Sequence, residues 1–430
     1  MGEFKCGAAK RCITPPAELI PDLRALMDQR LGAVLEDLYV RVIALESDGK
    51  RALFVCFELD KVPQEKRYYE LLEKAVGVPE ENITLTAVHT HSAPISGYRP
   101  FEGPNFIDRK PAEVQKATHA FEDFVAGQLE EAAKEAVESL QPAKMGIAAG
   151  ESFVNIDRKQ WYEYTDENGM RRRILALGRN AASPVDHTLT ILRFEDLTGK
   201  TIAVLVHYPC HCCIMHTNPC GGGGMLGIGP DLGGAVSAMM EKDDPGAVVL
   251  WCSGAAGDVN PIMQNEIYYP DPETGRPVTA KMPGGDCLHL LTLLSANHYA
   301  DIRRTMRGMR CTQTDVPVGG TVEWSRTQGL FEEYEIRLHM LRIGSVYFLG
   351  GSGEFYGQYA RILRSILPEK HALIVNHEAS LAANSGYILD TYTESAPEMD
   401  LPGTRHLNMR AGLVEKDFAE HALHMYETLR

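Results

Sequence analysis

Two stretches of this 430-residue sequence gather side chains that can hold a metal ion or move a proton. In VHTHSAP, residues 88–94, His89 and His91 close the apolar run Ile83 to Val88, and Pro94 blocks its simple continuation. Alternate residues of an extended chain share a face, so both imidazoles can converge on one point. That suits two ligands on one ion, or one ligand beside one acid–base group; a hydrogen-bonded strand end is the plainer alternative. In LVHYPCHCCIMHTNPCGGGG, residues 205–224, another apolar strand ends in His207, Cys210, His211, Cys212, Cys213 and His216, six potential ligands within ten residues. The paired CxxC and HxxxH spacings of a closed structural zinc site are missing, which leaves that reading second. The glycine run lacks the GK[ST] of a phosphate-binding loop and reads as a turn.

Further along, CSGAAGDVNP at 252–261 sets Asp258 and Asn260 at the tip of the strand Ala247 to Trp251. In many α/β folds ligands bind beyond the carboxyl ends of strands, although a turn with Asp and Asn capping local amides is the alternative. FLGGSGEFYGQY at 348–359 places Glu354 between a strand and a helical pattern, as a helix N-terminal carboxylate or as a metal ligand. NSGYILDTY at 384–392 carries Tyr387 and Tyr392, which by themselves signal nothing. Tyr98, Arg99, Arg109, Trp161, Tyr162, Tyr164 and Arg171 to Arg173 offer aromatic and cationic groups for a polar or anionic substrate, or simply an ordinary surface.

The elements that must position these groups read as short apolar strands and longer helices. Strands are expected at Tyr39 to Leu45, Ala52 to Glu58, Ile83 to Val88, Leu189 to Phe194, Ile202 to Val206, Ala247 to Cys252 and Val346 to Leu349. Helical patterns run over Ala112 to Leu140, Asp231 to Glu241, Cys287 to Arg307, Gly357 to Leu367 and Val414 to Leu429. This is an α/β (mixed α+β) chain, with layered sheets flanked by helices. No linker or repeat divides it, so a single domain over 1–430 is expected, with loops at Gly97 to Lys110, Gly221 to Gly229, Tyr268 to Asp286 and Thr391 to His406.

Composition, 44% hydrophobic and 23% charged, excludes disorder, collagen and coiled coil. The net charge of -15 repels phosphate backbones and anionic headgroups, so neither nucleic acid nor stable membrane association is expected. The N-terminus lacks a signal-peptide pattern, and apolar runs such as GAVVLWC fall far below the ~20 residues needed to span a bilayer. The ten cysteines read as free thiols of a cytoplasmic protein. The expected partner is a small-molecule substrate; homo-oligomerisation is open, with no interface specified.

Taken in order, GAAKRCITPP, TAVHTHSAP, NIDRKQ, YPCHCC, GAAGDVNP, GSGEFYG and ANSGYI resemble the catalytic domain of the neutral/alkaline non-lysosomal ceramidases, from about residue 5 to 415. Members of that family are zinc-dependent amidases that release a fatty acid from sphingosine. The resemblance implies zinc ligands at His89, His211, Glu354 and a tyrosine, Tyr387 rather than Tyr392. It also implies that His91 stands beside the ligands as a supporting or acid–base neighbour and that Arg158 holds the substrate or its oxyanion. Two departures stand out. The family motif GDVSPN, whose serine is proposed as catalytic, reads GDVNPI here, and the Asn260 amide cannot serve as a deprotonated nucleophile. No C-terminal immunoglobulin-like domain is expected, since the chain ends soon after the catalytic region. Both argue against ceramide itself. The expected function is hydrolysis of a small soluble substrate at a C–N bond by zinc-activated water. His91 or Asp258 would shuttle the proton, Arg158 would stabilise negative charge and Asn260 would donate a hydrogen bond. The alternatives are cleavage of a glycoside or ester with the same metal, and metal binding without catalysis.

Overall fold

In the computed structural model, which describes residues 3–23, 31–63, 65–94, 107–282, 285–331, 333–378, 386–402 and 409–430, the apolar runs become strands and the periodic stretches helices. Tyr39–Ser47 and Lys50–Phe57 form a hairpin turned by Asp48 and Gly49, whose φ values of 49° and 76° give the left-handed two-residue turn that matches strand twist. The hairpin lies in an eight-stranded sheet ordered Val248–Ser253, Thr201–Tyr208, Thr188–Asp196, Gln141–Glu151, Lys5–Cys12, Tyr39–Ser47, Lys50–Phe57, Ile83–Ala87. Its two outermost pairs are parallel and its inner pairs antiparallel. The sheet curls until its edges meet. The Cys56 thiol donates to the Trp251 carbonyl at 3.2 Å, Thr90 bridges Cys212, and the His91 amide donates to the Cys212 carbonyl at 3.1 Å.

One face of this sheet is covered by the helix Ala112–Glu138, which buries Val114, Ala117, Phe121, Val125, Leu129, Ala132 and Ala136 at helical spacing. Its alanines allow close approach, and so does the strand beneath: a Cβ on Gly7 would stand 2.1 Å from the Ala136 carbonyl oxygen. A four-stranded sheet, Val318–Gln328, Glu333–Ile343, Val346–Gly351 and His371–Val375, packs with the helices Gly357–Ile366 and Ala411–Leu429 around a second core. Another, Val259–Pro261, Asn155–Thr165, Arg171–Asn180 and Met399–Asp400, stands beside it.

Every expected strand and helix is present, with ends displaced by up to three residues, and the architecture is mixed α+β. The stretch Tyr268 to Asp286 is not a plain loop. Glu266–Pro270 pairs with Pro277–Lys281, and the Asp271 carboxylate accepts the Thr274 amide at 2.7 Å in the turn. Thr391–Glu394 is a short helix whose Asp390 cap accepts the Thr393 amide. Most of the Gly97 to Lys110 stretch lies outside the described residues. Among the described residues no helix is long and apolar enough to cross a membrane.

Candidate metal centre

The strand Ile83–Ala87 delivers His89 to the seam where the sheet edges meet. The chain is not extended there: His89 has a left-handed φ of 64°, so strand alternation is not what aims His89 and His91 together. Their rings nevertheless converge, edge to face, at 4.7 Å. His89 Nδ1 donates to the Asp60 carbonyl at 2.7 Å, which turns Nε2, the other ring nitrogen, inward. His211 repeats the device from the end of Thr201–Tyr208, its Nδ1 donating to the Ala256 carbonyl at 2.6 Å. Glu354 Oε2 lies 3.3 Å from His211 Nε2 and 3.6 Å from His89 Nε2.

These three atoms are buried and have no hydrogen-bond partner. A buried polar atom left unmatched costs roughly 1–3 kcal/mol, so three at one point mark a site made for something else. Burial pushes His211 down to about 4, leaving it neutral at pH 7 as a ligand must be. Burial alone would raise the Glu354 carboxyl, but the surrounding imidazoles of His89, His211 and His377 outweigh it and hold the group well below the usual carboxylate range. Two imidazoles and a carboxylate, with tautomers fixed by backbone carbonyls, are a donor set that fits a divalent cation such as zinc.

Tyr387 stands directly across from Glu354 in the short parallel pairing of Glu354–Phe355 with Tyr387–Ile388. Burial and the neighbouring Glu354 carboxylate push its hydroxyl well above its ordinary value, with Arg158 opposing them. Tyr392 is elsewhere: it is 57% exposed and accepts a hydrogen bond from Trp161 Nε1 at 2.8 Å. Arg158, from the strand Asn155–Thr165, sets its guanidinium 5.0 Å from the Tyr387 ring centroid and donates to the Gly257 carbonyl at 2.5 Å and to Asn260 Oδ1 at 3.4 Å. The Asn260 amide nitrogen donates to Gln264 at 2.9 Å. His91 has a buried Nε2 without a partner, and burial together with the rings of His89, His216 and His211 pushes its pKa well down.

Asp258 is otherwise engaged. Its carboxylate pairs with Lys159 and accepts the Gly357 amide at 2.7 Å, while Lys159 lies 3.3 Å from Asp157. Nothing in the NIDRKQ stretch singled out Lys159. The cysteine segment does not assemble a competing site. Cys210, Cys212 and Cys213 are buried with their thiols pushed well up by burial, and no ligand group of three or more among the described residues includes a cysteine. His207 donates to the Ile374 carbonyl at 2.7 Å, and His216 faces Glu266 at 3.2 Å.

One residue at the centre carried no sequence signal. His377 follows the strand His371–Val375 and stacks on His89, rings 3.9 Å apart and 8° from parallel. Its position just past the end of a parallel strand is the clue it shared with Asp258. Of the expected substrate contacts, Tyr98 and Arg99 lie outside the described residues. Arg171 and Arg172 pair with Glu163 and Asp166 on the hairpin, and Arg173 lies over Trp161 at 4.7 Å. Arg109 ends a short turn of 3₁₀ helix, and Tyr162 and Tyr164 are buried. A cavity of about 570 Å³ opens beside Lys159, lined by Asp157, Asn180, Ser183, Arg361, Asp390 and Tyr392 among others.

Residues 5–267 match the family model of the N-terminal part of neutral/alkaline non-lysosomal ceramidases. Two curated relatives from Dictyostelium discoideum are neutral ceramidase B, 28% identical over 234 residues, and neutral ceramidase A, 24% identical over 179. Those matches cover 51% and 40% of this chain and 30% and 23% of the relatives, so the matched part spans less than a third of their length. The solved neutral ceramidase of Pseudomonas aeruginosa superposes on 100% of this chain and 75% of its own with a TM-score of 0.70 at 16% identity. A ceramidase complexed with C2 gives 0.69 at 15% identity, over 100% of this chain and 76% of its own. At such identities the likeness establishes the fold.

Proposed function

We propose that this chain, which belongs to the neutral/alkaline non-lysosomal ceramidase family, is a zinc-dependent hydrolase that cleaves a C–N bond in a small polar substrate. The observation that carries the reading is the meeting of His89 Nε2, His211 Nε2 and Glu354 Oε2, all buried and without partners. These residues would hold the ion, with Tyr387 beside Glu354. When bound, zinc supplies a Lewis acid that polarises an acyl oxygen and eases deprotonation of water near neutral pH.

The chain's own groups divide the remaining work. His91, neutral at pH 7, takes and returns the proton through Nε2. Arg158, always charged, faces negative charge developing on the substrate. Asn260 accepts from Arg158 and so orients it, in place of the nucleophile that a serine would provide. Asp258 holds Lys159 and the first turn of the helix Gly357–Ile366, which makes it a positioning residue rather than the shuttle.

Elemental analysis tests the centre first. The purified protein is expected to carry about one zinc per chain, lost in His89→Ala and in His211→Ala, while Cys212→Ser with Cys213→Ser keeps it. Full occupancy in both histidine variants would sink the site. Zinc-loaded protein should then cleave amides in a screen beside esters, glycosides and an N-acyl sphingosine. Cleavage confined to any of the other three would overturn the assignment.

A further inference from the structure

We propose that Cys220 and Cys287 form a redox-modification site, a dithiol that hydrogen peroxide closes to a reversible disulfide. The inference stands apart from the metal centre and takes up the one cysteine of the CHCCIMHTNPC run that is not buried. The two residues are 67 apart in sequence, yet their Sγ atoms lie 3.3 Å from each other. Other thiols turn to oxygen acceptors instead: Cys56 to the Trp251 carbonyl, Cys210 to that of His211, Cys213 to Asn260 and Gln264, and Cys311 to the Arg193 carbonyl.

The two partners differ in how far they can move. Cys287 is buried in the first turn of the helix Asp286–Met306, which is held in the core by Leu294 and Ile302. Cys220 opens a turn in which Gly222, Gly223 and Gly224 take left-handed φ values of 80°, 57° and 77°, with open space where each Cβ would stand. A disulfide requires the sulfurs to close to about 2.05 Å, and the glycine turn is the side that absorbs the approach. Behind it, Asn218 Oδ1 accepts the Cys220 amide at 3.1 Å and Asn218 Nδ2 donates to Ser92 Oγ at 3.3 Å. The bond therefore staples the helix to the turn that braces the residue after His91.

The chemistry balances with one peroxide per pair. Burial and the neighbouring Cys220 thiol push Cys287 up to about 12, so it keeps its proton while the partly exposed Cys220 meets the oxidant first. The Cys220 sulfur attacks a peroxide oxygen, the O–O bond breaks and hydroxide leaves, giving a sulfenic acid. The Cys287 sulfur then attacks the Cys220 sulfur, the S–O bond breaks and a second hydroxide leaves. The two thiol protons pass to these hydroxides, so the pair loses two electrons and the peroxide becomes two waters.

The test uses the full-length protein in a Cys12→Ser background, which removes the exposed thiol. After reduction with a phosphine, removal of the reductant and exposure to hydrogen peroxide, the protein is denatured, alkylated and weighed by mass spectrometry. It should take up two fewer alkyl groups than the unexposed sample, and phosphine added before alkylation should restore both. The oxidised form should melt about 2–4 °C above the reduced one, because the closed loop limits the unfolded chain. Adding Cys220→Ser or Cys287→Ser should abolish both effects. An unchanged alkylation count would overturn the proposal. So would a loss that persists in Cys220→Ser, which would place the bond among other cysteines, or a loss that phosphine fails to reverse, which would mean oxidation to sulfinic acid.

Discussion

Burial holds three histidines neutral in ways that acid should expose. Burial pushes His298 down to about 3, and His207 and His211 to about 4. In the unfolded chain each titrates near the ordinary 6.5. The folded values lie below the unfolded one, so protons favour unfolding: the stability is full above pH 6.5 and is lost as pH falls toward 4. At pH 5 the loss is about 2 kcal/mol for each, or roughly 6 kcal/mol for the three, against a total stability of about 5–15 kcal/mol. His298 permits a clean perturbation. Its Nδ1 meets Ser152 Oγ at 2.8 Å and its Nε2 accepts from Trp251 Nε1 at 3.1 Å, and the amide of His298→Gln offers the same donor and acceptor without titrating. Urea unfolding of the chelator-treated protein, followed by tryptophan fluorescence at about pH 7.5 and about pH 5, measures the effect. The variant should lose about 2 kcal/mol less than the parent between the two. Equal losses would refute the claim that this buried ring excludes the proton.

Other substitutions probe the surroundings. Lys159→Met should cost about 3–5 kcal/mol in thermal unfolding, because it leaves Asp157 and Asp258 buried without their cation; an unchanged melting temperature would mean that the pair contributes nothing. Tyr387→Phe should lower turnover of an amide substrate by about 10–100-fold through Glu354 and Arg158, whereas Tyr392→Phe, at an exposed position, should leave it unchanged. Gly7→Ala should destabilise by about 1–3 kcal/mol, since its methyl meets helix backbone rather than a movable side chain; normal stability would contradict the close approach described.

The centre was legible in the sequence where ligands sit in dense motifs. His89, His211 and Glu354 each follow an apolar strand, and the structure brings both imidazole Nε2 atoms within 3.6 Å of Glu354 Oε2. The stated reason for pairing His89 with His91 was nevertheless wrong in detail, because the chain turns left-handed at His89 instead of staying extended. Lys159 and His377 escaped notice because each matters through partners remote in sequence, Asp258 for one and His89 with Glu354 for the other. The hairpins Asn155–Thr165 with Arg171–Asn180 and Val318–Gln328 with Glu333–Ile343 were missed for a different reason. They mix exposed polar residues with apolar ones, so no continuous apolar run announces them.

The packing of the sheet's two ends on each other also bears on what its edge strands can pair with. The outermost strands, ITLTA and VVLWCS, are buried along their whole length and rich in β-branched residues. Left open, such edges are templates for pairing with another chain. Here Val248–Ser253 packs across the strands at the sheet's other end, and beyond the strand ends Thr90 bridges Cys212 beside His89 and His211. Substitutions that prise the join apart should therefore show first as aggregation during expression, before any loss of turnover can be measured.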